Sequence, residues 1–148
     1  MEQSSLYLRN FAPARLISIP GQVSDLGQLH FWEDSTVFHQ GICRCFWITQ
    51  VSPGEFRGKH AHWEEAQVLV CLSGVSRVSV EGLDGRLDEF LLDSPGKGLF
   101  VPPLNWVKVS FEPSSVLLGL SDRAFSEQDY IRDFQVFRSL QFRFHESQ

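Results

Sequence analysis

The stretch Gly54-Glu55-Phe56-Arg57-Gly58-Lys59-His60-Ala61-His62, continued by Gln67 and Gly74, decides how this chain is read. Its skeleton is a Gly, five residues, His-x-His, four residues, Gln, six residues and a Gly. Pro53-Gly54 and Ser73-Gly74 are turn dipeptides that bracket short extended segments. In a strand alternate side chains share a face, so His60 and His62 point the same way and Ala61 points to the other. Two imidazoles about 6–7 Å apart on one strand face can bind a metal or run acid/base chemistry.

Outward from that stretch the pattern repeats. Expected strands are Leu16–Ile19, Leu29–Trp32, Cys43–Thr49, His60–His62, Gln67–Leu72, Ser76–Glu81, Leu87–Leu92, Gly98–Val101, Val107–Phe111 and Val116–Leu120. Turn chemistry falls between them, at Asp84-Gly85, Ser94-Pro95-Gly96, Pro102-Pro103 and Pro113-Ser114-Ser115. Val75–Val80 reads Val, Ser, Arg, Val, Ser, Val, which fits a half-buried strand and not a helix. Many short strands with no helix between them predict an all-β sandwich or barrel. No repeat or linker divides residues 1–148, so one domain is expected. The exception is the C-terminus. There Ser126-Glu127-Gln128-Asp129 reads as an N-cap and acidic first turn, with Tyr130, Ile131, Phe134 and Phe137 recurring at helical spacing.

Composition narrows the function. The 148 residues are 43% hydrophobic and 13% aromatic, enough for one packed core, and 21% charged without a long single-sign run. A net charge of -5 argues against nucleic acid as a partner, while leaving room for a local basic pocket that holds one phosphorylated ligand. No apolar run reaches membrane-span length, and Met1-Glu2-Gln3-Ser4-Ser5 lacks the basic and apolar regions of a signal peptide. No membrane partner and a cytoplasmic location are therefore expected. Cys43, Cys45 and Cys71 make no recognised metal spacing and read as small buried residues in a reducing compartment.

The motifs Arg57-Gly58-Lys59-His60-Ala61-His62 and Gln67-Val68-Leu69-Val70-Cys71-Leu72-Ser73-Gly74 carry a family resemblance. So do Leu92-Asp93-Ser94-Pro95, Gly98-Leu99-Phe100-Val101-Pro102-Pro103 with Trp106, and Ser126-Glu127-Gln128-Asp129-Tyr130-Ile131-Arg132-Asp133-Phe134. In this order, over roughly residues 24 to 137, the chain resembles the WxcM-like nucleotide-sugar 3,4-ketoisomerases of the cupin superfamily. The resemblance implies a cupin-type antiparallel jelly roll with a C-terminal helix, a homodimer that pairs through its sheets, and a dTDP-linked 4-keto-6-deoxy sugar as substrate. The implied reaction takes dTDP-4-keto-6-deoxy-glucose to a 3-keto sugar without a metal or other cofactor.

The residues support a metal-free reading independently. Cupin metal sites combine the two imidazoles with a carboxylate and a further histidine. Here the carboxylate position is Gln67 and the histidine position is Val107, neither a useful ligand for a divalent cation. Glu64 and Glu65 sit at the wrong offset. His60 and His62 are thus left with proton transfer, one as carbon base and the other as shuttle or orienting partner, an order the sequence leaves open. Arg44 and Arg57 match arginines of the family pattern, and a guanidinium can clamp a pyrophosphate or stabilise an enediolate. Gln67 can hydrogen-bond sugar hydroxyls, and Trp106 is a candidate pocket wall as well as a candidate core residue.

Four positions depart from the family pattern. Leu26 stands before Gly27 where an arginine is usual, Phe46 and Trp47 replace tyrosines, and Trp63 replaces a basic residue. The lost arginine and tyrosines keep open a noncatalytic cupin that binds a sugar nucleotide or protein, and the imidazole pair keeps a metal-dependent cupin enzyme as the other alternative.

Overall fold

Alternating side chains and turn dipeptides produce two stacked antiparallel sheets in the computed structural model, which describes residues 2–33 and 36–148. The strands, in chain order, are β1 (Arg15–Ser18), β2 (Gly21–Ser24), β3 (Gly27–His30), β4 (Arg44–Ile48), β5 (Phe56–His62) and β6 (Gln67–Ser73). They continue with β7 (Ser76–Gly82), β8 (Leu87–Leu92), β9 (Lys97–Val101), β10 (Asn105–Phe111), β11 (Val116–Ser121) and β12 (Tyr130–Ile131). Helices α1 (Glu2–Arg9) and α2 (Phe134–Glu146) stand at the two ends. One sheet runs β1-β9-β6-β11-β4, the other β12-β5-β10-β7-β8, and β2-β3 is a separate hairpin. From β4 to β7, and again from β8 to β11, successive strands change sheet. That is the connectivity of a jelly roll.

Burial follows the alternation. Leu69, Cys71, Leu99, Val101 and Leu117 of the first sheet meet Val78, Val80, Leu92 and Val109 of the second. The outer face of the second sheet is covered by the helices, where Leu8, Phe137 and Leu140 close over Ala61, Leu104 and Ile131. The outer face of the first sheet carries Val68, Val70 and Leu120, packed against Phe38 with Trp32 and Val37 beside it.

The C-terminal helix starts later than its sequence suggests. Asp133 is the N-cap, its side chain accepting from the Gln135 amide at 2.8 Å. Ser126 makes no side-chain cap, Glu127–Asp129 form one 3₁₀ turn, and Tyr130–Ile131 pair with His62 and Ala61 of β5. A strand there satisfies backbone groups of β5 that a helix would leave open. Helix α1 and strand β2 carry too little periodicity to have been expected. Cys43 and Cys45 are exposed and only Cys71 is buried, so the buried reading of all three cysteines is corrected for two.

Candidate functional site

Arg57 and His60 are three residues apart, and in a regular strand an odd separation puts side chains on opposite faces. A bulge removes the conflict. Opposite β5, Val107 pairs with His60 and the next residue, Lys108, pairs with Gly58, so Lys59 is the extra residue. Gly58 and Lys59 take φ of 91° and 63°, and a Cβ on Gly58 would stand 2.8 Å from the Val107 carbonyl oxygen. After the bulge both Arg57 and His60 face inward, sharing their face with Val109 and Val107.

There they line a cavity of about 520 Å³ at the open end of the sandwich, together with Arg44, Gln67, Tyr130 and Arg132. A volume of that order suits a small-molecule ligand. Its floor is apolar, formed by Phe46, Leu69 and Leu117. Gly119 leaves the space in which the Phe46 ring lies, since a Cβ there would fall 2.1 Å from the ring.

His62 lies deeper, 7% exposed, behind His60. The two rings meet edge to face at 4.9 Å, and Tyr130 touches both, at 4.8 Å from His60 and 4.3 Å from His62. Carboxylates face both nitrogens of His62. Nε2 is 3.2 Å from Glu65 Oε2, and Nδ1 is 3.3 Å from Asp129 Oδ2 but off the hydrogen-bonding direction. Burial alone would push the Asp129 carboxyl up, yet His62 and the amides of Glu65 and Glu64 outweigh it and hold its pKa below the usual value. His60 is different. Desolvation first, and then the charge of His62, lower its pKa to about 4, so its ring is neutral at pH 7. The Gly58 backbone pushes the other way without reaching hydrogen-bond geometry, and Nδ1 is buried with no partner among the described residues.

Two of the three cavity arginines are matched by acids. Arg44 Nη2 donates to buried Glu65 at 2.9 Å, and Arg132 pairs with Glu127, Nη2 donating at 2.9 Å while its guanidinium covers the Tyr130 ring at 4.2 Å. Arg57 has no ion-pair partner among the described residues and is exposed. Of the residues singled out in the sequence, then, His60, Arg44, Arg57 and Gln67 line one cavity and His62 backs it. Trp106 does not. It lies on the opposite face of β10 from Val107 and packs on Phe134 and Phe137 of α2 at 5.0 and 5.6 Å. Sequence reading missed Tyr130 and Arg132 as cavity residues, although their alternation around Ile131 is a strand signal. It also set aside Glu65.

The donor set does not suit a divalent metal. The four cupin positions hold two imidazoles, an amide and a valine, and the Nε2 of one imidazole already faces a carboxylate.

An antiparallel jelly roll whose open end gathers an imidazole pair, arginines and an amide defines a cupin of the small-molecule-binding kind. Comparison with known proteins narrows this. The chain matches the family described as FdtA: WxcM-like, C-terminal, over residues 12–141, and it belongs to that family. It is 34% identical over 126 residues to the TDP-4-oxo-6-deoxy-α-D-glucose-3,4-oxoisomerase of Aneurinibacillus thermoaerophilus, covering 84% of this chain and 89% of the relative. QdtA, a sugar 3,4-ketoisomerase from Thermoanaerobacterium thermosaccharolyticum solved with TDP, superposes with a TM-score of 0.81 at 29% identity, covering 88% of this chain and 96% of that one. A 3,4-ketoisomerase from Helicobacter canadensis gives a TM-score of 0.78 at 28% identity, covering 86% of this chain and 96% of that one. The present chain is an isomerase. No helix among the described residues is long and apolar enough to cross a membrane.

Proposed function

We propose that this isomerase converts dTDP-4-keto-6-deoxy-glucose to a dTDP-3-keto-6-deoxy-hexose. One observation carries the reading at the level of residues. His60 is neutral at pH 7 and lines a ligand-sized cavity beside an unpaired guanidinium. A neutral imidazole can accept the C3 proton of the sugar, giving an enediol, and a proton returned to C4 completes the carbon chemistry. The O3 proton is lost as O4 gains one, so the ketone moves from C4 to C3 with no net redox change. His60 is the carbon base in this assignment and His62 its orienting partner. Arg57 holds the diphosphate, while Arg44 and Gln67 contact the sugar and its developing oxyanion. Trp106 is left out of the substrate site and supports it through α2. The relative and the QdtA neighbour named above support the choice of substrate.

Incubation with dTDP-4-keto-6-deoxy-glucose in deuterium oxide, followed by NMR, tests this directly. Deuterium is expected at C4 of the product, and His60→Asn is expected to lower turnover by at least ~10²-fold, the scale for losing a positioned base. Near-wild-type turnover in that variant would remove His60 from the chemistry. The same reading includes a cytoplasmic enzyme and a homodimer. Trp47, 68% exposed on the outer face of the first sheet, and Leu72, exposed on the same sheet two strands away, give apolar surface that a second copy would cover. Sedimentation at micromolar concentration reports the dimer, and a monomer there removes that part.

A further inference from the structure

Glu65 is 3% exposed, among the most buried charged residues in the protein, and its position follows no motif. A carboxylate that deep is stable only when its oxygens are well supplied with donors. Two side chains supply them, and a third stands close. Arg44 Nη2 donates to Oε1 at 2.9 Å, Gln67 Nε2 donates to Oε2 in a short contact, and His62 Nε2 lies 3.2 Å from Oε2. The Glu65 backbone amide donates to Asp129 Oδ2 at 3.0 Å, and the same oxygen faces Nδ1 of His62. Both donors, Arg44 and Gln67, line the cavity, and His62 packs against the ring of His60.

We propose that Glu65 is a positioning residue of the isomerase site, one carboxylate that fixes the rotamers of Arg44 and Gln67 and the tautomer of His62. This rests on the function proposed above. The tautomer follows from counting donors. Gln67 Nε2 is also 3.5 Å from His62 Nε2, so that nitrogen has two candidate neighbours, an amide donor and a carboxylate that can only accept. Only the amide stands in hydrogen-bond geometry, and an amide nitrogen can only donate, so Nε2 accepts from Gln67, which Glu65 holds through its own hydrogen bond. The proton is then on Nδ1, which faces Asp129 Oδ2 at 3.3 Å, and the ring that sets its edge against His60 meets a donor at one end and an acceptor at the other. Glu65 is not itself a lining residue of the cavity, so it acts through Gln67 and His62 on the reacting side and through Arg44 on the binding side.

Glu65→Gln separates the two sides. Its amide oxygen can still accept from Arg44, while its NH₂ end meets the Gln67 amide donor, so Gln67 loses the contact that aims it at His62. The expected result is a fall in kcat of at least ~10-fold with the Kd for TDP, measured by calorimetry, changed by less than ~3-fold. A residue that acts through His62 has little left to lose once His62 is gone. In a His62→Asn background the same substitution is therefore expected to cost less than ~3-fold. Equal losses in both backgrounds, or no loss in either, would overturn the proposal. A wild-type protein that leaves the keto sugar unchanged would sink the isomerase reading instead, and the ¹⁵N resonances of the histidine rings then decide the positioning role without turnover. They also decide it if Glu65→Gln does not fold, because they are read in the wild-type protein. His62 Nε2 is expected to be the unprotonated, hydrogen-bond-accepting nitrogen, with the proton on Nδ1, and the opposite tautomer means that the Gln67 amide held by Glu65 does not orient this ring.

Discussion

If burial lowers the pKa of His60 to about 4, the stability of the protein must carry that shift as a pH dependence. The unfolded ring binds its proton near the ordinary value of 6.5, and the folded ring only near 4. Between those values the unfolded chain holds a proton that the folded chain lacks. Stability therefore falls as pH falls from 6.5 to 4 and stops responding to this group below that. The whole shift has a ceiling of about 3.4 kcal/mol, and about 2 kcal/mol of it is lost between pH 7 and pH 5. Other groups titrate in the same range, so the wild type is compared with His60→Asn, in which the titrating ring is absent and the rest is retained. Urea unfolding followed by tryptophan fluorescence at pH 7, 6 and 5 gives both curves. The wild type is expected to lose about 2 kcal/mol more than the variant across that span, and parallel curves would refute a depressed His60. The rate profile carries the same signature. For kcat/KM, which reports the free enzyme, the basic group should titrate near pH 4, leaving a plateau through pH 6, whereas an ordinary imidazole base would begin to fail near 6.5.

Removal of metal by a chelator is expected to leave turnover unchanged, and restoration of lost activity by one particular divalent ion would contradict the proton-transfer reading. Arg57→Ala is expected to weaken TDP binding by ~10-fold or more, the scale of a charge-assisted hydrogen bond, with Arg57→Lys recovering only part because an ammonium lacks the fork of donors; an unchanged Kd would move the diphosphate elsewhere in the cavity. Gly119→Ala should force the Phe46 ring out of its place and cost about 1–3 kcal/mol on urea unfolding, and a neutral result would mean that the ring has another rotamer available.

The fold was legible because its determinants are local. Alternation in β7, Pro-Gly and Asp-Gly turns, and the absence of helical periodicity between strands require nothing from distant parts of the chain. The site was legible where it followed the same parity, at His60, His62 and Gln67. It was lost where parity changes or where a partner lies far away in sequence. Trp106 illustrates the first case. Once Val107 is placed inward, the residue before it must point outward, so the alternation already assigned Trp106 to the helix side. The bulge at Gly58 and Lys59 is harder, because only cross-strand register shows that Arg57 joins His60. Ser126 and Asp129 imitate a helix start, and what overrides them is pairing of Tyr130 and Ile131 with β5, a contact across nearly seventy residues. Glu65 belongs with these. Its Arg44 donor and its backbone anchor Asp129 lie far from it on opposite sides in the chain, and no window around it shows that the carboxylate is buried.

On the assignment of His60 proposed above, the placement of charge in the cavity accounts for how a base with so low a pKa would serve near neutrality. Arg44 is balanced by Glu65 and Arg132 by Glu127, which leaves Arg57 as the lining guanidinium whose charge is unspent. An incoming diphosphate is therefore drawn to that side of the cavity, where β5 also carries His60 three residues on. The bound anion then adds negative charge to a ring whose basicity is depressed by desolvation and by the neighbouring His62, and negative charge favours the imidazolium. In the free enzyme the ring is a neutral acceptor that does not compete for solvent protons. In the proposed complex it would become a stronger base at the moment a C3 proton is within reach. On that assignment substrate binding and base activation are two consequences of the same arginine.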